Sequence, residues 1–87
     1  MANLWKGDIT NREWEDFSTI SGITLTADTK YQLQVIGKCY LCDMSEEPED
    51  DEGFLIDTTE PFGFTKKGDA TLWVKAYTYK CKLNIAE

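Results

Sequence analysis

Tyr31-Gln-Leu-Gln-Val-Ile-Gly37 alternates large apolar residues with polar ones, and the stretch from there to Ile56 decides the fold. A period of two is the signature of a half-buried strand, so Tyr31, Leu33 and Val35 share one face while Gln32 and Gln34 look toward water or a partner. A slip of one residue would bury both glutamines, which fixes the register. Gly37-Lys38 reads as a turn, and Cys39-Tyr-Leu-Cys42 as the returning strand of a hairpin. After an acidic loop, Phe54-Leu-Ile56 resumes the apolar pattern, and the rest of the chain reads as strands added to this hairpin.

Toward the N-terminus, residues 1–13 are weakly patterned, and Leu4 with Trp5 could form a short strand or an arm packed on a neighbour. Thr10-Asn-Arg-Glu13 fits a capping box, yet Ser18-Thr-Ile-Ser-Gly22 cannot sustain a helix, so a strand from Trp14 to Ile20 is the better reading. Ile23-Thr-Leu-Thr26 alternates and predicts a further strand whose Ile23 and Leu25 are buried. Toward the C-terminus, Pro61 to Thr65 reads as a short edge strand and Lys66-Lys-Gly-Asp69 as a tight hairpin turn. Ala70 to Tyr79 follows as the longest strand, with Leu72, Val74 and Ala76 on one face and Trp73, Lys75, Tyr77 and Tyr79 on the other. A last strand sets Cys81, Leu83 and Ile85 inward. Seven or eight short strands with little or no helix predict one all-β domain over residues 1–87, a small antiparallel β-sandwich or partly open barrel.

A chain of 87 residues has a thin core, burying only roughly 60–65% of the surface its unfolded form exposes. No apolar run approaches the ~20 residues that cross a bilayer, and the N-terminus lacks the pattern of a secretory signal. A soluble protein made in a cytoplasm is the expectation. The net charge of −7 argues against nucleic acid as the partner, because phosphate neutralisation supplies most of that affinity. Nine of the sixteen acidic residues lie between Asp43 and Glu60, and five of the nine basic ones between Lys66 and Lys82. Either this is ordinary solvated surface, or copies of the chain meet by complementary charge.

Catalysis finds no support in the residues. Without histidine, the commonest general base is missing and Ser-His or Cys-His pairs are excluded. Cys39 and Cys42 have CxxC spacing, but in a strand they point to opposite faces, and with Cys81 they offer zinc only three ligands. The odd cysteine count rules out a complete intramolecular disulfide framework. The loop from Asp43 to Gly53 carries seven carboxylates, including Glu46, Glu47, Glu49, Asp50, Asp51 and Glu52, but lacks the calcium-loop frame. It reads as a mobile solubilising or partner-facing loop. No cofactor is implied. What remains is binding by Trp5, Trp14, Trp73, Tyr77 and Tyr79, flat amphipathic rings suited to completing the core, to a subunit interface or to stacking on a sugar.

Those residues, in their order and spacing, resemble a family of small bacteriophage virion proteins found among capsid-decoration, head-fibre and tail-associated components. The resemblance is carried by Trp14-x-Asp16-Phe17, Ser21-Gly-Ile-Thr-Leu-Thr26, Lys30-Tyr-Gln-Leu-Gln34, Tyr40-Leu41, Pro48, Gly53-Phe54 and Leu72-Trp73-Val74-Lys75, and spans Trp14 to Ile85. It implies a β-sandwich that oligomerises, with a trimer or other ring favoured, binds a larger capsid or tail component in the virion, and needs neither cofactor nor catalysis. The acidic loop and the three cysteines depart from the family pattern, and no functional residue transfers. Two alternatives stand beside it: a glycan-binding module for host attachment, and a small acidic phage-encoded protein that binds a host protein through its loop.

Overall fold

The structure, a computed structural model, describes residues 3–49, 52–68, 70–77 and 80–87. Its elements are β1 (Asn3–Ile9), β2 (Glu15–Asp16), α1 (Phe17–Ser21), β3 (Lys30–Ile36), β4 (Cys39–Met44), β5 (Phe54–Ile56), β6 (Phe62–Thr65), β7 (Thr71–Ala76) and β8 (Cys81–Ala86). They form two four-stranded antiparallel sheets, β1-β8-β3-β6 and β2-β7-β4-β5, packed as a small sandwich and not closed into a barrel. The alternating faces read from sequence supply the core. Tyr31, Leu33, Val35, Leu83 and Ile85 of the first sheet meet Cys39, Leu41, Leu72, Val74 and Ala76 of the second, all buried.

β3 and β4 do not form a hairpin. β3 pairs with β8 and β6, β4 pairs with β7 and β5, and Gly37-Lys38 carries the chain from one sheet to the other. Gly37 has a φ of 103°, and a Cβ there would lie 3.2 Å from Cβ of Cys81, so this corner demands glycine twice over. β6 and β7 likewise lie in different sheets and do not form a hairpin. Periodicity specifies which residues face inward; it does not specify which strand lies alongside.

The N-terminal segment is an integral strand and not an arm. β1 pairs with β8 from Asn3 opposite Ala86 to Ile9 opposite Cys81, and Ile9 is fully buried. The expected strand from Trp14 to Ile20 shrinks to Glu15–Asp16, because Asp16 caps α1: its Oδ1 accepts from the Ser18 amide and hydroxyl, each at 2.8 Å. Gly22, left-handed at φ 77°, ends the helix. Residues 23–26 are loop, since the Thr26 amide donates to the Tyr31 hydroxyl at 2.7 Å where a neighbouring strand would otherwise be needed. Leu25 nevertheless packs on the core, while Ile23 is only half-buried.

Ile9→Ala should lower unfolding stability by about 2–5 kcal/mol, the range for emptying a buried aliphatic site, when followed by chemical denaturation. A loss of only a few tenths would return β1 to the status of a detachable arm.

Candidate functional site

Three features stand out against this scaffold: an aromatic cluster with a lysine on the outer face of the second sheet, an ion pair joining the sheets, and an apolar groove where the sandwich is open. The first arises because Tyr40 and Lys75 are direct cross-strand partners, and Trp14 enters beside them just before β2. The Lys75 ammonium sits 4.6 Å from the Trp14 ring centre and 5.2 Å from that of Tyr40, a geometry in which the rings' quadrupoles favour the cation. Tyr40 also contacts Tyr77 at 5.7 Å, and Lys38 lies 5.5 Å from the Tyr77 ring. Lys75, read from sequence as an outward charge, is therefore buried, at 8% exposure.

The acidic loop closes over this cluster. The Trp14 indole N–H donates to the Glu49 carbonyl at 2.9 Å, Glu49 and Glu52 are cross-linked by two hydrogen bonds, and Pro48 is buried. At Gly53, with φ 88°, a Cβ would come within 2.8 Å of the Trp14 ring and 2.9 Å of the Leu41 carbonyl oxygen. Either side of residues 50 and 51 the loop is thus tied to Trp14 through the Glu49 carbonyl and the close approach at Gly53, while Glu46, Glu47, Glu49 and Glu52 are exposed. Asp50 and Asp51 lie outside the described residues, as does Tyr79.

The other ring candidates are not brought together. Trp14 is buried, Trp5 is half-buried and meets Phe17 edge-on at 5.3 Å, and half-buried Trp73 donates to the Met44 carbonyl at 3.0 Å. Tyr77 alone among the candidates within the described residues is exposed, at 39%. Among the described residues no group of three or more His, Cys, Asp and Glu is placed to hold a metal.

The basic segment is not a solvated block either. Lys66 is buried and lies 3.4 Å from Asp43 Oδ1, linking the end of β6 to β4 across the sandwich. Its ammonium also donates to the carbonyls of Lys67 and Ala70, and the Lys67 amide donates to Asp43 Oδ2 at 3.0 Å. Removing one member of such a pair strands the other's charge away from water.

The groove opens between the free edges of β5 and β6. Its volume is about 460 Å³, and its apolar lining includes Leu33, Leu41, Phe54, Phe62, Phe64 and Leu72. Phe54 is opposite Leu41 and Phe62 is opposite Leu33, so both belong to the inward faces of their sheets. Even so, Phe54 is 76% exposed. Sequence placed Phe54 on a strand, but only the pairing of the two sheets shows that nothing described covers it.

The three thiols differ: the hydrogen bond with Cys39 lowers the Cys81 pKa against the effect of burial, while the other two are raised. Cys39 and Cys81 meet in the core from opposite sheets; sharing its proton with the Cys81 sulfur, together with burial, raises the Cys39 pKa. Burial raises that of Cys42 as well, helped by the Glu52 and Asp43 carboxylates and opposed by Lys67. None of the three is bonded.

Two outcomes follow from these contacts. Lys66→Met should destabilise the fold by about 3–5 kcal/mol, the cost of leaving one charge of a buried pair alone, read from denaturant midpoints. Because Cys42 holds its proton more tightly when folded, both states are protonated at low pH and its contribution is intact there. That contribution should be lost as pH rises past the unfolded thiol value of roughly 8.5, and Cys42→Ser should remove it from the alkaline slope in pH-dependent unfolding.

Comparison with known proteins brings no match: no protein-family model, no curated protein and no solved structure is similar to this chain.

Proposed function

We propose that this chain is a non-catalytic structural protein that acts by surface contact, self-associating and seating on a larger body. The resemblance drawn from sequence makes that body a phage capsid or tail component. The observation that carries the reading is the exposure of apolar side chains at the open β5/β6 side of the sandwich, where Phe54 is the most exposed of the large hydrophobic residues described. Phe54, at 76% exposure, lines a groove with Phe62 and Phe64, and Leu55, at 40%, is exposed on the outer face of the same strand. Contiguous apolar surface of this kind marks contact sites in small soluble domains.

Sugar stacking has less to work with. In the aromatic cluster Trp14 and Tyr40 are occupied by Lys75, and the Tyr40 and Tyr77 rings are tilted by 43°, so they do not share a flat platform.

Quantitative mass spectrometry of purified particles tests the structural role. A constant copy number per particle is the expected result. Confinement of the protein to the soluble fraction of infected cells, with none in particles, would reject a virion role.

A further inference from the structure

The two sides of the sandwich end differently. On one, α1 closes the gap between β1 and β2, with Phe17 buried beneath Trp5. On the other, β6 and β5 end their sheets, and the described residues place nothing beyond them. Phe54, Phe62 and Phe64 all face inward there and line the groove, yet Phe54 is largely bare, so an exposed ring stands at the mouth of the groove it helps to form and can reach into a second copy's. A surface carrying plug and socket side by side is self-complementary under a two-fold axis.

We infer that the open β5/β6 side is the contact surface between two copies of this chain, joined crosswise with β5 of each against β6 of the other. This rests on the self-association proposed above and names its geometry. Strand direction permits it. β3 and β4 are joined by a two-residue corner and run oppositely, β6 is antiparallel to β3, and β5 is antiparallel to β4. A two-fold axis along the strands therefore sets β5 of one copy antiparallel to β6 of the other. Matching inward faces then places Phe54 and Ile56 opposite Phe64 and Phe62, with Leu55 opposite Gly63. Each sheet continues into its partner's other sheet, giving two eight-stranded sheets and removing both open edges.

Charge selects this arrangement over the alternative two-fold, in which like edges meet. Pairing β5 with β5 brings Glu52 and Asp57 of one copy against the same carboxylates of the other. In the crosswise arrangement the Glu52 end of β5 meets the end of β6 that carries exposed Lys67, while the exposed Lys30 lies along β6 with its Cε 2.9 Å from where a Gly63 Cβ would be. Asp57 then falls beside Pro61 and Glu60, one like-charge contact against the attraction at the other end. For a chain of net charge −7, local complementarity of this kind is what allows two copies to approach.

Sedimentation equilibrium of the full chain tests the assignment. The expected result is a monomer–dimer equilibrium that Phe54→Asp weakens by at least about tenfold without loss of thermal stability, since that ring is exposed. Glu52→Lys should also weaken the dimer, and adding Lys67→Glu should restore it, which mere disturbance of the loop could not do. Tightening by Glu52→Lys alone would assign the like-on-like pairing and overturn the crosswise one. A self-associated chain that ignores Phe54→Asp, or a trimer, overturns this surface while leaving self-association standing. A monomer up to high micromolar concentration overturns both.

Discussion

Everything in this small domain depends on the inner faces of β3 and β4 meeting across the core. Tyr31, Leu33 and Val35 on one and Cys39 and Leu41 on the other are all buried, and strands that share only two connecting residues are thereby committed to different sheets. A hairpin would set them side by side and leave each inner face looking for a second layer. The corner makes the second layer immediately. Once β3 and β4 face each other, every other strand is recruited in opposing pairs: β8 beside β3 and β7 beside β4, then β1 and β2 on one flank and β6 and β5 on the other.

A core this thin leaves charged residues close to it, and each is managed differently. Lys66 is held by a carboxylate and two carbonyls between the sheets, and Lys75 lies against two aromatic rings on an outer face. The first ties the two layers together at the end where β4 leaves and β6 arrives. The second keeps the acidic loop in place indirectly, because the Trp14 ring beneath Lys75 is also the one that holds the loop backbone. Two cations that look alike in the sequence thus serve the interior, which reduces the surface positive charge of the Lys66 to Lys82 segment to fewer, separate points.

Much of the fold was legible residue by residue. The inward positions of β3, β7 and β8 follow from strict alternation, and the sandwich follows from the number and spacing of strands. Partner choice was not legible, since Gly37-Lys38 and residues 66–69 have the composition of hairpin turns while the strands that flank each of them lie in different sheets; a turn's residues describe local bending and not what the strands pack against. Asp16 as a helix cap hid behind the more conspicuous Thr10–Glu13 pattern. Of the ring candidates, Trp14 is absorbed by Lys75 and the loop, an arrangement that depends on Tyr40 being opposite Lys75, and no local rule connects β4 to β7. The open groove was invisible for the same reason, because it is a property of two edges far apart in sequence.

The placement of β8 has a consequence for how the chain is made. It is the centre of its sheet, between β1 and β3, although it follows every other strand in the sequence. The second sheet has all its members once β7 has emerged, whereas β1 and β3 have no direct contact and wait for β8 to join them. During synthesis the apolar face of the second sheet is therefore covered only in part, by β3 and β6, until β8 arrives, and contacts of such long sequence separation form slowly. The interval before β8 docks is when this protein is most exposed to mispairing.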